Sequence, residues 1–253
     1  MNILVLIPAR MGSSRFPGKP MAHILGKPMI GHVYDNIRVS PLVTLTAVAT
    51  CDLEIFDYIE SIGGVAVMTS DTHERASDRC AEALLKLEQL NGVRYEIVVM
   101  VQGDEPMTSM HMLEEAITPM LSNESIQITN LLGEITSVDE FKDRNCIKVV
   151  CDLNMNAMYF SREPIPTSIR GGLQVMSKQV CVIPFRRNFL LEYTSLSPTP
   201  LEIIESIDML RILEHGMKVK MVPTKHQTFA VDTLDDLVRV ESIMREAFGD
   251  STE

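Results

Sequence analysis

Short apolar runs alternate with amphipathic stretches through the first half of the chain. Ile3–Ile7, Val43–Ala49, Val65–Met68 and Ile97–Val101 are near-continuous apolar segments, the signature of strands buried on both faces. Between them, Met29–Ile37, Leu53–Ile62 and Ala76–Leu90 carry apolar residues at helical spacing. Gly63-Gly64 supplies a C-cap for the second of these helices. Strands separated by helices predict βαβ units and a parallel sheet.

The second half is less regular. Ile126–Leu132, Cys146–Cys151, Ala157–Phe160 and Val180–Phe185 have strand character, and Pro164–Gly172 is a loop rich in Pro and Gly. Leu201–Leu213 and Leu234–Phe248 have helical patterns, and the tail Gly249–Glu253 is expected to fray. These patterns predict one α/β domain over residues 1–253, with roughly 125–185 inserted as a strand-rich region.

The net charge of −11 argues against sequence-independent binding to nucleic acid, which depends on neutralising phosphates. The charge is unevenly placed. Residues 1–34 contain Arg10, Arg15, Lys19 and Lys27 and no carboxylate, which favours a small anion as ligand or leaves a solvated basic turn. The odd number of cysteines, five, without any Cys-x-x-Cys spacing, predicts reduced and mostly buried thiols rather than a disulfide framework or zinc site. No apolar stretch is long enough for a membrane helix, and the first run ends at Pro8, too short for a signal peptide. A cytoplasmic protein is expected.

In an open parallel sheet, ligands bind beyond the carboxyl ends of the strands. Three segments fall there. The loop after Ile7 brings Arg10, Ser13, Ser14, Arg15 and Lys19 onto a frame containing Gly12 and Gly18. Such a loop can cradle phosphate through backbone N–H groups and side-chain cations. It is not the common P-loop: five residues separate its glycines, and Pro20 follows Lys19 where a hydroxyl would be needed. The absence of Gly-x-Gly-x-x-Gly after the first strand disfavours a dinucleotide-binding dehydrogenase. The second segment is Gln102-Gly103-Asp104-Glu105-Pro106, and the third is Ala230-Val231-Asp232-Thr233. Asp104 and Asp232 could jointly hold Mg²⁺, a hard cation that takes carboxylate and phosphate oxygens. Asp232 could equally cap the helix that follows it. Gln102 could meet a base edge or tie two loops together. In His73-Glu74-Arg75-Ala76-Ser77-Asp78-Arg79, Ser77 or the earlier Ser70 could cap the helix, Arg79 could face a nucleotide, and His73 has a structural role as its simplest reading.

Together these segments resemble the 3-deoxy-manno-octulosonate (KDO) cytidylyltransferase family. The matching stretches are IPARMGSSRFPGKPMAHILGKPMIGHVY, Ala49-Thr50, MTSDTHERASDR, VQGDEPM, IKVVCD, AMYFSREPIP, PLEIIESIDMLR and VDTLDDLVRV, in family order across nearly the whole chain. The resemblance implies a Rossmann-like nucleotidyltransferase fold with an added dimerisation region, CTP as cosubstrate and Mg²⁺ as metal. It implies that Arg10, Ser13, Ser14 and Lys19 contact the CTP phosphates, that Arg79 and Gln102 lie at the cytidine, and that Asp104 and Asp232 hold the metal. Lys19, Arg10, Asp104 and Asp232 would then carry catalysis, and Arg15, Arg162, Gln179 and Asp208 would meet the acceptor. The implied reaction is attack of a sugar-acid hydroxyl on the α-phosphate with release of pyrophosphate. The acceptor side departs from the family pattern. Where the family has His-x-Gly-x-Tyr-x-Tyr, this chain has Gln179, Ile183 and Phe185 in place of the His and both Tyr. Met209 replaces a glutamine, and Arg75 and Ala76 stand where Ser and Gly are usual. A different anionic acceptor, another sugar acid or a phosphonate, is therefore the alternative to KDO. A non-catalytic nucleotide-binding homologue is a further one.

Overall fold

The computed structural model of the chain describes residues 1–13, 15–170 and 176–249. The chain begins with β1 (Ile3–Ala9), every residue of which is buried. A single turn of 3-10 helix at Lys19–Met21 and a small hairpin, β2 (His23–Ile24) and β3 (Lys27–Pro28), lead into α1 (Met29–Ile37). Next come β4 (Leu45–Thr50), α2 (Leu53–Ser61), β5 (Ala66–Met68), α3 (Ala76–Asn91) and β6 (Ile97–Val101). They are followed by α4 (Met110–Ser122), β7 (Thr129–Glu134), α5 (Val138–Lys142), β8 (Lys148–Cys151) and β9 (Ala157–Ser161). The last part comprises β10 (Ser177–Val180), β11 (Val182–Arg186), α6 (Arg187–Ser195), α7 (Pro200–Glu205), α8 (Met209–Glu214), β12 (Lys220–Pro223) and α9 (Leu234–Gly249).

The first sheet has the order β11-β6-β1-β4-β5. β6, β1, β4 and β5 run parallel, and β11 joins β6 antiparallel. From β1 the chain moves to β4 and β5 on one side, then returns through α3 to β6 on the other. The order therefore reverses between β1 and β6, which opens a crevice beyond their carboxyl ends. Both apolar faces of this sheet are covered, so β1 and β6 are apolar throughout rather than alternating.

The second sheet has the order β12-β7-β10-β8-β9. Residues 129–180 supply four of its strands, and β12 comes from beyond that span. The apolar segment Val180–Phe185, expected as one strand, is split at Cys181. Its start pairs with β7 in the second sheet and its remainder with β6 in the first. At the break, the Cys181 carbonyl accepts from the Gln102 amide at 3.1 Å, and the Cys181 amide donates to the buried Glu105 carboxyl at 3.1 Å. An Ile128–Phe185 bridge also joins the two sheets.

Other expectations shift with tertiary context. Leu201–Leu213 is two helices because Ser206 adopts a left-handed conformation at φ 53° and ends α7. The helix Met110–Ser122 follows a cap in which Ser109 accepts from the Met112 amide; α5, α6 and β12 were likewise absent from the sequence pattern. All five cysteines are free, but only Cys80 is fully buried. Residues 250–253 of the tail and Gly171-Gly172 of the Pro/Gly loop lie outside the described residues. Among the described residues no helix is long and apolar enough to cross a membrane.

α7 and α8 are held together by a buried ion pair. Arg211 donates from Nε and Nη2 to the two oxygens of Glu202 at 2.7 and 2.6 Å, and both residues are almost wholly shielded from solvent. Removing one partner leaves the other charge buried and uncompensated. Glu202→Leu should therefore lose about 3–5 kcal/mol of stability in denaturant melts. Adding Arg211→Met should recover most of that loss.

Candidate active site

The crevice beyond β1 and β6 is a cleft of about 760 Å³. Arg10, Gly12, Ser13, Arg15 and Lys19 line it from the first loop, with Gln102 and Asp104 from the loop after β6. Arg75 and Arg79 line it from the start of α3, and Arg162, Gln179, Asp208 and Met209 from the second half of the chain.

The first loop is fixed by its own backbone and by one residue that the sequence pattern did not mark. Gly18 takes φ 75°, a conformation that favours glycine, and its amide bonds back to the Met11 carbonyl at 3.0 Å. The Asp52 carboxylate, at the start of α2, accepts from the Met11 amide at 2.8 Å. Ser13 shapes the loop by accepting from the Phe16 amide at 3.3 Å. Ser14 lies outside the described residues.

Lys19, Asp104 and Asp232 meet, although they are far apart in sequence. Lys19 Nζ is 2.6 Å from Asp104 Oδ2 and 3.2 Å from Asp232 Oδ1. Arg15 Nη2 reaches the same Asp232 oxygen at 3.0 Å, and its Nη1 bonds to Asn145. Burial works against the lysine's charge, but the attraction and hydrogen bonds of Asp104 and Asp232 outweigh it and raise its pKa above 10.5. The segment bearing Asp232 is anchored to the β6 loop, since the Val231 amide donates to the Asp104 carbonyl at 2.9 Å. Asp232 does not cap α9. Thr233 does so, with its Oγ1 accepting from the Asp236 amide at 3.2 Å while Asp236 accepts in return from the Thr233 amide at 2.9 Å. The Asp232 carboxylate is thereby left to the cations. Its other side borders an adjoining cavity of about 390 Å³ containing Glu105, Lys178, Thr228 and Phe229. Burial, and then the neighbouring Asp104 charge, push the Glu105 carboxyl up to about 7.

Two carboxylates converging on one cation suit Mg²⁺, whose shell is completed by phosphate oxygens and waters. Among the described residues no cluster of three or more metal-binding side chains occurs, so a metal here would need those further ligands.

Arg79 is 3% exposed, donates from Nη1 to Thr69, and leaves Nη2 buried without a partner among the described residues. An orphaned donor on a cleft-lining guanidinium calls for an acceptor from a ligand. Neither serine caps α3 as expected: Arg75 holds the cap position without a side-chain cap bond, Ser77 donates to Asp208, and Ser70 bonds Thr72. Arg10 donates to the His73 carbonyl at 3.4 Å. His73 itself is paired with Glu82. Burial would raise that carboxyl, but bonds from Lys86, the Ser70 amide and His73 bring it down to about 2.

The residues expected at an acceptor are more heavily engaged. Arg162 donates from all three guanidinium nitrogens to the carbonyls of Glu205, Arg144 and Ser206 at 2.7, 3.0 and 3.3 Å. Gln179 donates to Asn130 at 2.7 Å. Burial raises the Asp208 carboxyl against the pull of Arg75, whose Nη1 is 3.2 Å from Asp208 Oδ1. The helix break at Ser206 brings Ser206, Ile207 and Asp208 to the cleft wall.

A cytidylyltransferase family profile matches residues 4–219. A 3-deoxy-manno-octulosonate cytidylyltransferase of Trichlorobacter lovleyi is 40% identical over 97% of this chain and 100% of its own length. One of the same description from Geobacter sulfurreducens is 39% identical over 95% and 98%. A solved structure of CMP:2-keto-3-deoxy-manno-octonic acid synthetase complexed with CTP superposes with a TM-score of 0.88, at 33% identity, covering 98% of this chain and 100% of that one. The 4-diphosphocytidyl-2C-methyl-D-erythritol synthase of Anaerococcus prevotii, at 12% identity and a TM-score of 0.65, shares the fold.

The division of labour at residues 232 and 233 can be measured. Thr233→Ala should cost about 1 kcal/mol in thermal melts through loss of the cap. Asp232→Asn should cost less, because it also relieves repulsion from Asp104. Since the Lys19 pKa lies above its unfolded value of 10.5, the stability from its ion pairs is fully present below pH 10.5. It is lost only as pH rises through the higher folded value. The wild-type minus Lys19→Ala stability difference should accordingly stay flat from neutrality to about pH 10 and shrink above it.

Proposed function

Because the chain belongs to the 3-deoxy-manno-octulosonate cytidylyltransferase family, we propose that it transfers CMP from CTP to a 2-keto-3-deoxy sugar acid, releasing pyrophosphate. The observation that carries this reading is the junction of Lys19 with Asp104 and Asp232 at the mouth of the nucleotide cleft.

Charge on a triphosphate must be neutralised while the new bond forms, and positioning supplies most of the remaining catalysis. Arg10 and Lys19 present that charge from the first loop. The acceptor hydroxyl gives up its proton to bulk water, and its oxygen bonds to the α-phosphorus as the bond to the departing pyrophosphate breaks. Lys19, already protonated and held by two carboxylates, needs no proton transfer to act. Arg79, whose Nη2 has no partner among the described residues, and Gln102 are the groups proposed to meet the cytosine edge. Asp104 and Asp232 would hold Mg²⁺, which supplies Lewis-acid polarisation of the phosphoryl oxygens.

We further propose a homodimer in the cytoplasm. The free thiols fit a reducing compartment. Exposed Leu153, Met158, Ile203 and Ile204 offer apolar surface to a second copy.

Pyrophosphate release with CTP, Mg²⁺ and KDO tests the activity, and its absence from well-folded protein would remove the reading. Asp104→Asn should lower kcat by about 10²-fold or more while the protein still melts cooperatively. Lys19→Ala should lower kcat by a similar factor, and EDTA should abolish turnover until Mg²⁺ is restored. Near-normal kcat in Asp104→Asn would take that carboxylate out of the metal site.

A further inference from the structure

Asp104 and Glu105 are neighbours in sequence whose carboxylates part company. Asp104 lines the cleft and meets Lys19, whereas Glu105 lines the adjoining cavity and is only 4% exposed. Glu105 Oε1 accepts from the Cys181 amide at 3.1 Å. Lys178, a cation of the same cavity, is committed to Glu140 at 2.5 Å, and among the described residues no ion pair reaches Glu105. A carboxyl shielded from water and held by a backbone amide is a poor source of stability, since its desolvation costs more than such a bond returns. What it fixes is geometry.

The loop between β6 and α4 is held on two sides. Towards β1, Gly103 lies so close that an added Cβ would stand 3.0 Å from Ile30 Cδ1 and 3.3 Å from the Pro8 carbonyl oxygen. On the opposite side Cys181 grips both ends of the stretch from Gln102 to Glu105. Its carbonyl accepts from the Gln102 amide, and its amide donates to the Glu105 side chain. Four consecutive residues are thus closed into a ring by one residue of the strand that passes between the sheets. Gln102 and Asp104, assigned above to the base and the metal, are members of that ring. The Gln102 bond is backbone to backbone, so Glu105 is the member whose side chain closes it.

We propose that Glu105 is a positioning residue for the transfer reaction: by accepting from the Cys181 amide, its side-chain oxygen sets where Asp104 and Gln102 stand in the cleft. Glu105 acts through those two residues and not on the reacting atoms. The inference rests on the cytidylyltransferase reading. It makes the requirement at position 105 one of reach, an acceptor oxygen at the length of a glutamate side chain, and not one of charge.

Three variants separate reach from charge. Glu105→Gln keeps an acceptor oxygen at the same length and loses the charge. Glu105→Asp keeps the charge on an arm one methylene shorter. Glu105→Met fills a similar volume without any acceptor, and serves if the Asp variant does not fold. Each is assayed below its own melting temperature by pyrophosphate release with CTP, Mg²⁺ and KDO, and CTP binding is measured separately by calorimetry. Glu105→Gln should match wild type in kcat, in Mg²⁺ requirement and in CTP affinity. Glu105→Asp and Glu105→Met should lose about 10- to 10²-fold in kcat, need about tenfold more Mg²⁺ for half-maximal rate, and bind CTP more weakly. Wild-type kinetics and CTP affinity in the Asp or Met variant, whatever its melting temperature, overturn the positioning role and leave the cytidylyltransferase reading intact. A Gln variant as impaired as the Asp variant overturns the role of reach in the same way. Release by none of the folded proteins, wild type included, overturns both readings.

Discussion

The ammonium of Lys19, set between the carboxylates of Asp104 and Asp232, is the interaction on which the arrangement of the site depends. It joins three segments that approach one another only because of the sheet order. The loop after β1 brings the cation, the loop after β6 brings one carboxylate, and the segment ahead of α9 brings the other. Two carboxylates this close would repel one another without a cation between them. The lysine offsets that repulsion, and the Val231–Asp104 backbone bond fixes the approach of the third segment.

Much of the first half was legible in the sequence. Apolar runs such as Ile3–Ile7 and Ile97–Val101 have the pattern expected of buried parallel strands, and the rule for strand carboxyl ends located the three loops that meet at Lys19. Lys19, Arg79, Asp104 and Asp232 were legible as candidates because their residue types suit phosphate, base and metal chemistry. What escaped depended on tertiary partners. Asp52 looks like the start of a helix, but its carboxylate holds Met11. Asp232 could not be told from a cap until Thr233 and Asp236 were seen to cap each other. The split at Cys181 has no local signal, because either sheet accepts the same apolar pattern. The break at Ser206 is equally silent, since serine has no preference for a left-handed backbone that would announce it.

The two ends of the cleft differ in kind. Near Arg79 a buried donor is left open, as suits a site whose partner arrives with the ligand. Near Asp208 the charges of Arg75, Asp208, Glu202 and Arg211 satisfy one another within the protein. Such a network is rigid, because disturbing one member leaves another buried charge uncompensated. The departures from the family pattern gather at this second end. They replace side chains that could bond a polyol with Ile183, Met209 and a guanidinium that is already paired.

The junction at Cys181 also limits how the molecule can move. Gln102, Cys181 and Glu105 tie the strand that passes between the sheets to the very loop that carries Asp104. Rotating one sheet against the other would tear those bonds and drag the carboxylate off Lys19. The two sheets are thus constrained to travel as one rigid body, without a hinge between them.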